Sequence, residues 1–105
     1  MIRVCIKSES GRLTGFEVSG HSMRSSHGQD IVCAAVSSAC YLVANTVTEV
    51  MGLTARIGVD DGFMQMYLDA AGIEPAQEIL RGFLLHMNEI ASEYPENVKV
   101  ILSEV

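Results

Sequence analysis

Cationic side chains are scarce in this chain: seven Lys and Arg stand against thirteen Asp and Glu among 105 residues, for a formal net charge of −6. Phosphate-backbone binding depends on clustered cations, so no direct nucleic-acid partner is expected, and the acidic surface suits a basic polypeptide instead. Cysteine is sparse too, and three residues without a Cys-x-x-Cys spacing argue against a disulfide framework and against the common zinc sites. Cys33 and Cys40 stand about 10 Å apart on one expected helix, at about 1.5 Å of rise per residue, too far for a disulfide. No metal and no cofactor is expected. Only Pro75 and Pro95 interrupt the chain, and no repeat, low-complexity stretch or linker stands out, so residues 1–105 are expected to form one domain. No apolar run is expected to approach a membrane span, and Met1 to Lys7 alternates apolar and polar residues where a signal peptide would be uninterruptedly apolar. The expected location is therefore cytoplasmic, with no membrane partner.

What is present is apolar and strongly patterned. A hydrophobic content of 49% suffices for a core without disulfide or metal support. Ile2 to Lys7 alternates as a half-buried strand with Ile2, Val4 and Ile6 on one side, Ser8-Glu9-Ser10-Gly11 supplies a turn, and Leu13 to Ser19 resumes with Thr14, Phe16 and Val18 on one face. After a polar loop from Ser22 to Gln29, Asp30 reads as an N-cap, Ile31 to Met51 as a helix, and Gly52 as its terminator. Its small residues Ala34, Ala35, Ser37, Ser38 and Ala39 predict a close backbone approach, while Val36, Leu42, Val43, Val47 and Val50 supply bulk. Ala55 to Val59 and Phe63 to Leu68 flank Asp60-Asp61-Gly62 as a second hairpin. Pro75 suits the first turn of another helix, whose stripe runs through Ile79, Leu80, Phe83, Leu84, Met87, Ile90, Ala91 and Tyr94 until Pro95 ends it, and Val98 to Leu102 closes as a strand. The order ββαββαβ predicts an α+β fold: a mostly antiparallel sheet with two amphipathic helices packed on one face.

The chemistry concentrates before and within the first helix. An N-cap at Asp30 would place Cys33 in the first turn, where unpaired N–H groups and the positive end of the helix dipole stabilise a thiolate, with Ser37 one turn along on the same face. His21, across the loop, is the candidate to take the thiol proton and return it to a leaving amine. Plainer readings stand beside these. A cysteine in an apolar helix is more often an inert small hydrophobe, and Asp30 reads equally as a cap alone. Cys40, deeper in the helix, and Cys5, in an edge-like strand, read as packing or surface residues. His27 reads as a solvated loop residue, His86 as a boundary residue, and Met64, Met66 and Met87 as core filler. Arg24, Glu74, Glu78 and Glu89 read as exposed charge. A phosphatase-type loop is excluded because Ala39 stands where an arginine would be required, and no second cysteine is placed to resolve an oxidised Cys33.

Gly20-His21 followed by Asp30-Ile31-Val32-Cys33-Ala34-Ala35-Val36-Ser37 resembles the ribosomal-processing cysteine protease family, Prp, in which Gly-His and Asp-x-x-Cys-x-x-x-Ser mark the active site. The resemblance extends to the element order, the chain length and the Asp-Asp-Gly hairpin. It implies Cys33 as nucleophile and His21 as base, with Gly20, Asp30 and Ser37 supporting them. Ser22, Met23, Arg24, Ser25, Ser26, His27, Gly28 and Gln29 would form the loop over the substrate groove. It further implies a homodimer that removes a short N-terminal extension from protein twenty-seven of the large ribosomal subunit, a step needed for ribosome assembly or function. Ser22 stands where the family commonly has alanine, which leaves the chemistry intact. The alternative is a non-catalytic ribosome-associated binding protein of the same fold, in which Cys33 only packs.

Overall fold

The computed structural model describes residues 1–20 and 27–105, the side chains of residues 27–30 excepted. Strands β1 (Ile2–Glu9), β2 (Arg12–Ser19), β3 (Ala55–Asp60), β4 (Phe63–Leu68) and β5 (Val98–Glu104) form one sheet in the order β3-β4-β2-β1-β5. Helix α1 (His27–Asn45), a π-helical stretch (Thr46–Val50), the short α2 (Ala70–Ile73) and α3 (Gln77–Glu93) complete the chain. The sheet is antiparallel except where β5 runs parallel to β1, and the α+β architecture matches the ββαββαβ expectation with α2 as an addition.

The inward residues Ile2, Val4 and Ile6 of β1, Phe16 and Val18 of β2 and Met64 and Met66 of β4 lie beneath Val32, Val36, Val43 and Val47 of the first helical run and Leu80, Phe83 and Met87 of α3, in one buried cluster. Alternation on the strands and 3.6-residue periodicity on the helices present these faces to each other. Phe16 and Phe83 hold α3 to the sheet, with ring centroids 4.5 Å apart and planes tilted by 31°.

Several expectations change in the fold. Thr14 does not share the inward face. The β1–β2 register shifts between Lys7 and Ser8, so Lys7 opposes Gly15 and Ser8 opposes Leu13, which skips Thr14 and turns Leu13 inward. One extra residue reverses the faces of everything beyond it, which strict alternation cannot anticipate. Cys5 is not in an edge strand, since β1 lies between β2 and β5. Pro75 precedes α3 instead of opening it. The helical run Ile31–Val50, 20 residues long, holds an 18-residue window of mean hydropathy 1.6, enough by length and composition to cross a membrane, contrary to expectation. In the fold its buried face lies on the sheet, whereas Leu42 and Val50 are 66% and 79% exposed. Its last turn is π-helical: the Thr46 and Thr48 hydroxyls donate to the Leu42 and Ala44 carbonyls at 2.7 and 2.9 Å, and the Met51 N–H reaches Thr46 O. Threonine hydroxyls that compete for carbonyls four residues back perturb the regular ladder.

Beyond the end of the β2–β4 pairing, the buried Gln77 amide continues the hydrogen bonding of β2. It accepts from Leu13 N–H at 2.9 Å and donates to Leu13 O at 2.7 Å and Ile73 O at 2.8 Å. Gln77→Leu strands these backbone groups in the core, an expected loss of about 2–4 kcal/mol, or roughly 10–20 °C in Tm for a domain of this size. Thermal unfolding checks this, and a variant that melts with the parent would show that the three bonds contribute nothing.

Candidate active site

Gly20 ends β2 at the edge of the candidate site, and its backbone explains why no other residue stands there. Its φ is +89°, and a Cβ built on it would lie 2.3 Å from the Met1 carbonyl oxygen. Its N–H donates to Gly62 O at 3.0 Å, extending the β2–β4 ladder by one residue to the turn of the second hairpin. Left-handed backbone and the close approach of Met1 both select glycine. The chain therefore leaves the sheet at Gly20 from a fixed point. His21 itself, with Ser22, Met23, Arg24, Ser25 and Ser26, lies outside the described residues.

The start of α1 differs from expectation. The helix spans His27–Asn45, so His27, Gly28 and Gln29 have helical backbone rather than loop, and Asp30 occupies the fourth helical position rather than the N-cap. Cys33 is thus the seventh residue, in the second turn. The unpaired N–H groups of a helix belong to its first four residues, so the Cys33 N–H is not among them. Polar residues preceding an apolar periodic run look alike whether they form a loop or a polar first turn, which is why the boundary moved.

Cys33, Ser37 and Cys40 share the inward side of α1. Cys33 is 3% exposed and belongs to the core cluster, Ser37 is half-buried one turn on, and Cys40 is 1% exposed. Burial without a compensating charge pushes the Cys40 thiol up to about 12 from an ordinary value of 9.0, only partly opposed by a backbone hydrogen bond. Cys40 is therefore a packing residue, as its sequence position suggests. None of the three cysteines is in a disulfide, and no group of metal-ligating side chains occurs among the described residues. Met64, Met66 and Met87 fill the core as expected, whereas His86 is exposed on α3. Met1 and Gly62, which fix Gly20, carry no local signal of that role, because only pairing across the sheet brings them to it.

The family model described as "Cysteine protease Prp" matches residues 1–99. The "Ribosomal processing cysteine protease Prp" of Bacillus subtilis is 30% identical over 107 residues, which cover 95% of this chain and 96% of that protein. Among solved structures, a protein from Streptococcus mutans superposes with a TM-score of 0.90 at 29% identity, over 100% of this chain and 96% of its own. The ribosomal processing protease Prp of Staphylococcus aureus is similar in two crystal structures. In complex with a substrate peptide it gives a TM-score of 0.88 at 27% identity, and with a covalently linked product peptide 0.85 at 28%, each over 98% of this chain and 100% of that one.

Proposed function

Since the chain belongs to the cysteine protease Prp family, we propose that it is a ribosomal-processing endopeptidase that removes the N-terminal extension of protein twenty-seven of the large ribosomal subunit, with Cys33 as nucleophile and His21 as base. It acts in the cytoplasm, as a homodimer, on an extended peptide segment of a basic protein. Gly20, Asp30 and Ser37 support the pair, and residues 22–29 contact the substrate.

The observation that carries this reading is the arrangement of the two ends of the motif. Gly20 is pinned by Met1 and Gly62 at the end of β2, and Cys33 sits one helical turn inside the element that the chain enters next. Helical side chains lean toward the N-terminus, so a sulfur at position 33 is directed back over the first turn of α1. That turn carries the N–H groups left without intrahelical partners, a ready oxyanion site. In the proposed sequence, His21 takes the thiol proton, the Cys33 sulfur bonds to the scissile carbonyl carbon, and the C–N bond breaks as His21 returns the proton to the departing amine. Water then hydrolyses the thioester and restores the thiol. A relative solved with a covalently linked product peptide supports a covalent route. Incubation with the extended ribosomal protein, read by mass spectrometry, tests the activity: an intact precursor overturns it.

One observation favours the rival, non-catalytic reading: Cys33 is 3% exposed among core residues. Reactivity separates the two. A nucleophilic Cys33 is expected to be alkylated by iodoacetamide near neutral pH at least about tenfold faster than Cys40, whose thiol stays protonated until strongly alkaline pH. Peptide mapping of the labelled protein reads the sites, and equal slow labelling of Cys33 and Cys40 would remove Cys33 from catalysis.

A further inference from the structure

The small residues of α1, expected to admit a close backbone neighbour, are in part left uncovered. Ala34, Ala35 and Ser38 are exposed, and Ala35, Ser38 and Ala39 instead line a hollow of about 510 Å³ against Ile79, Gly82 and Phe83 of α3. A second hollow, of about 690 Å³, reaches from the first through Glu78 and Ile79, which line both, toward Met51 and Glu74. The two hollows adjoin at these shared residues, and together they make an open channel between the helical run Ile31–Val50 with Met51 and the N-terminal half of α3. Its lining is mainly apolar, and exposed Leu42, with 66% of its surface in solvent, stands on its border.

Charge says what such a channel would accept. Neither hollow is lined by a lysine or an arginine, and His86 is the one basic side chain that lines either. Residues 31–54 and 69–94, which include the helical layer from Ile31 onward, contain six acids and Arg81 as their only strong cation, whereas the rest of the chain has six cations against seven acids. Nearly all of the net negative charge therefore belongs to these two segments. Glu74 is ion-paired with Arg12, while Glu78, exposed at the junction of the hollows, has no ion pair among the described residues. An apolar channel bordered by an uncompensated carboxylate complements a segment that carries both apolar and cationic side chains. A two-fold contact between copies would set Glu78 and its acidic surroundings against their own kind, which opposes self-association through this face.

We propose that the channel between α1 and α3 is a docking groove for a basic, apolar-bearing segment of the precursor protein, separate from the residues that flank the cleaved bond. This rests on the processing role proposed above. Docking there raises affinity for the whole protein and leaves the bond-breaking step unchanged.

Gly82 allows a clean test, because a Cβ placed on it meets nothing within 4 Å, so a larger residue there fills the channel without displacing the core. Gly82→Leu and Glu78→Lys are each expected to raise KM for the full-length precursor about fivefold to tenfold while kcat holds. A short peptide spanning only the cleaved bond should be cut as fast as by the parent. Binding of the precursor to Cys33→Ala protein, with and without Gly82→Leu, gives the same comparison without turnover, and the affinity difference for Glu78→Lys should shrink in high salt. Unchanged precursor binding in both variants overturns the proposal. So does equal damage to peptide cleavage, or a dimer that Gly82→Leu dissociates in sedimentation, since the occupant would then be a second copy. Failure of the parent to cleave either substrate would instead strike at the processing role, while the binding comparison still judges the groove.

Discussion

Cys33→Ala is expected to reduce precursor cleavage by at least about a thousandfold, since without a thiolate the covalent route closes and only positioning remains. The argument is chemical, because little else changes: the substitution removes one sulfur from a buried site, at an expected cost of about 1 kcal/mol in stability, so the variant should remain folded. His21→Ala is expected to lower the rate by about a hundredfold to ten-thousandfold, the usual span for general acid–base catalysis. Mass spectrometry of the precursor with time, beside a melting curve of each variant, separates lost chemistry from lost folding. A folded Cys33→Ala protein that still trims the precursor would exclude Cys33 as nucleophile. If Cys33→Ala is inactive and His21→Ala retains full rate, the base lies elsewhere.

Gly20→Ala is expected to give the largest loss from a residue that takes no part in bond-making. Alanine there must adopt φ near +89° and place its Cβ 2.3 Å from a backbone oxygen, so either the Met1 segment or the end of β2 has to move. Left-handed strain costs about 1–2 kcal/mol, and the collision adds to it. Any displacement passes directly to His21, the next residue, and a shift on the order of 1 Å in a catalytic group can reduce turnover about a hundredfold. The control is Gly11→Ala in the first hairpin, where φ is +78° but a Cβ meets nothing within 4 Å. It bears similar backbone strain without the collision and lies at the other end of β2. We expect Gly11→Ala to be modestly destabilised and fully active, and Gly20→Ala to be both less stable and nearly inactive. Equal activity in the two would show that Gly20 has no part in placing His21.

Much of the candidate site was legible because its signals are local. A glycine-histidine pair after an alternating segment, and a cysteine and serine four apart at the head of an apolar periodic run, describe neighbours along the chain. The exact start of α1 was not legible: His27 to Asp30 are compatible with loop or helix, and tertiary context made them the first turn. That change moved Cys33 out of the first turn and Asp30 away from the cap, so the proposed mechanism assigns the thiol's activation to His21 rather than to unpaired N–H groups of its own. Thr14 was misplaced for a comparable reason, since a bulge changes the inward parity of β2 without altering the alternation of the residues themselves. The small residues of α1 show by composition only that a neighbouring backbone could approach closely. Where α3 sits decides whether it does.

By itself the amino-acid sequence determined the element order, the two hairpins, the inward residues of β1 and α3, and the motif that carries the family resemblance. Each is set by period, turn chemistry or spacing over a few residues, and such signals survive without knowledge of distant neighbours. Only the tertiary structure placed β5 parallel to β1, set Gly62 and Met1 around Gly20, satisfied Leu13 with Gln77, and opened a channel where small residues had suggested contact. These pair residues far apart in the chain, and their partners are chosen by how the buried faces fit together, which no single segment encodes.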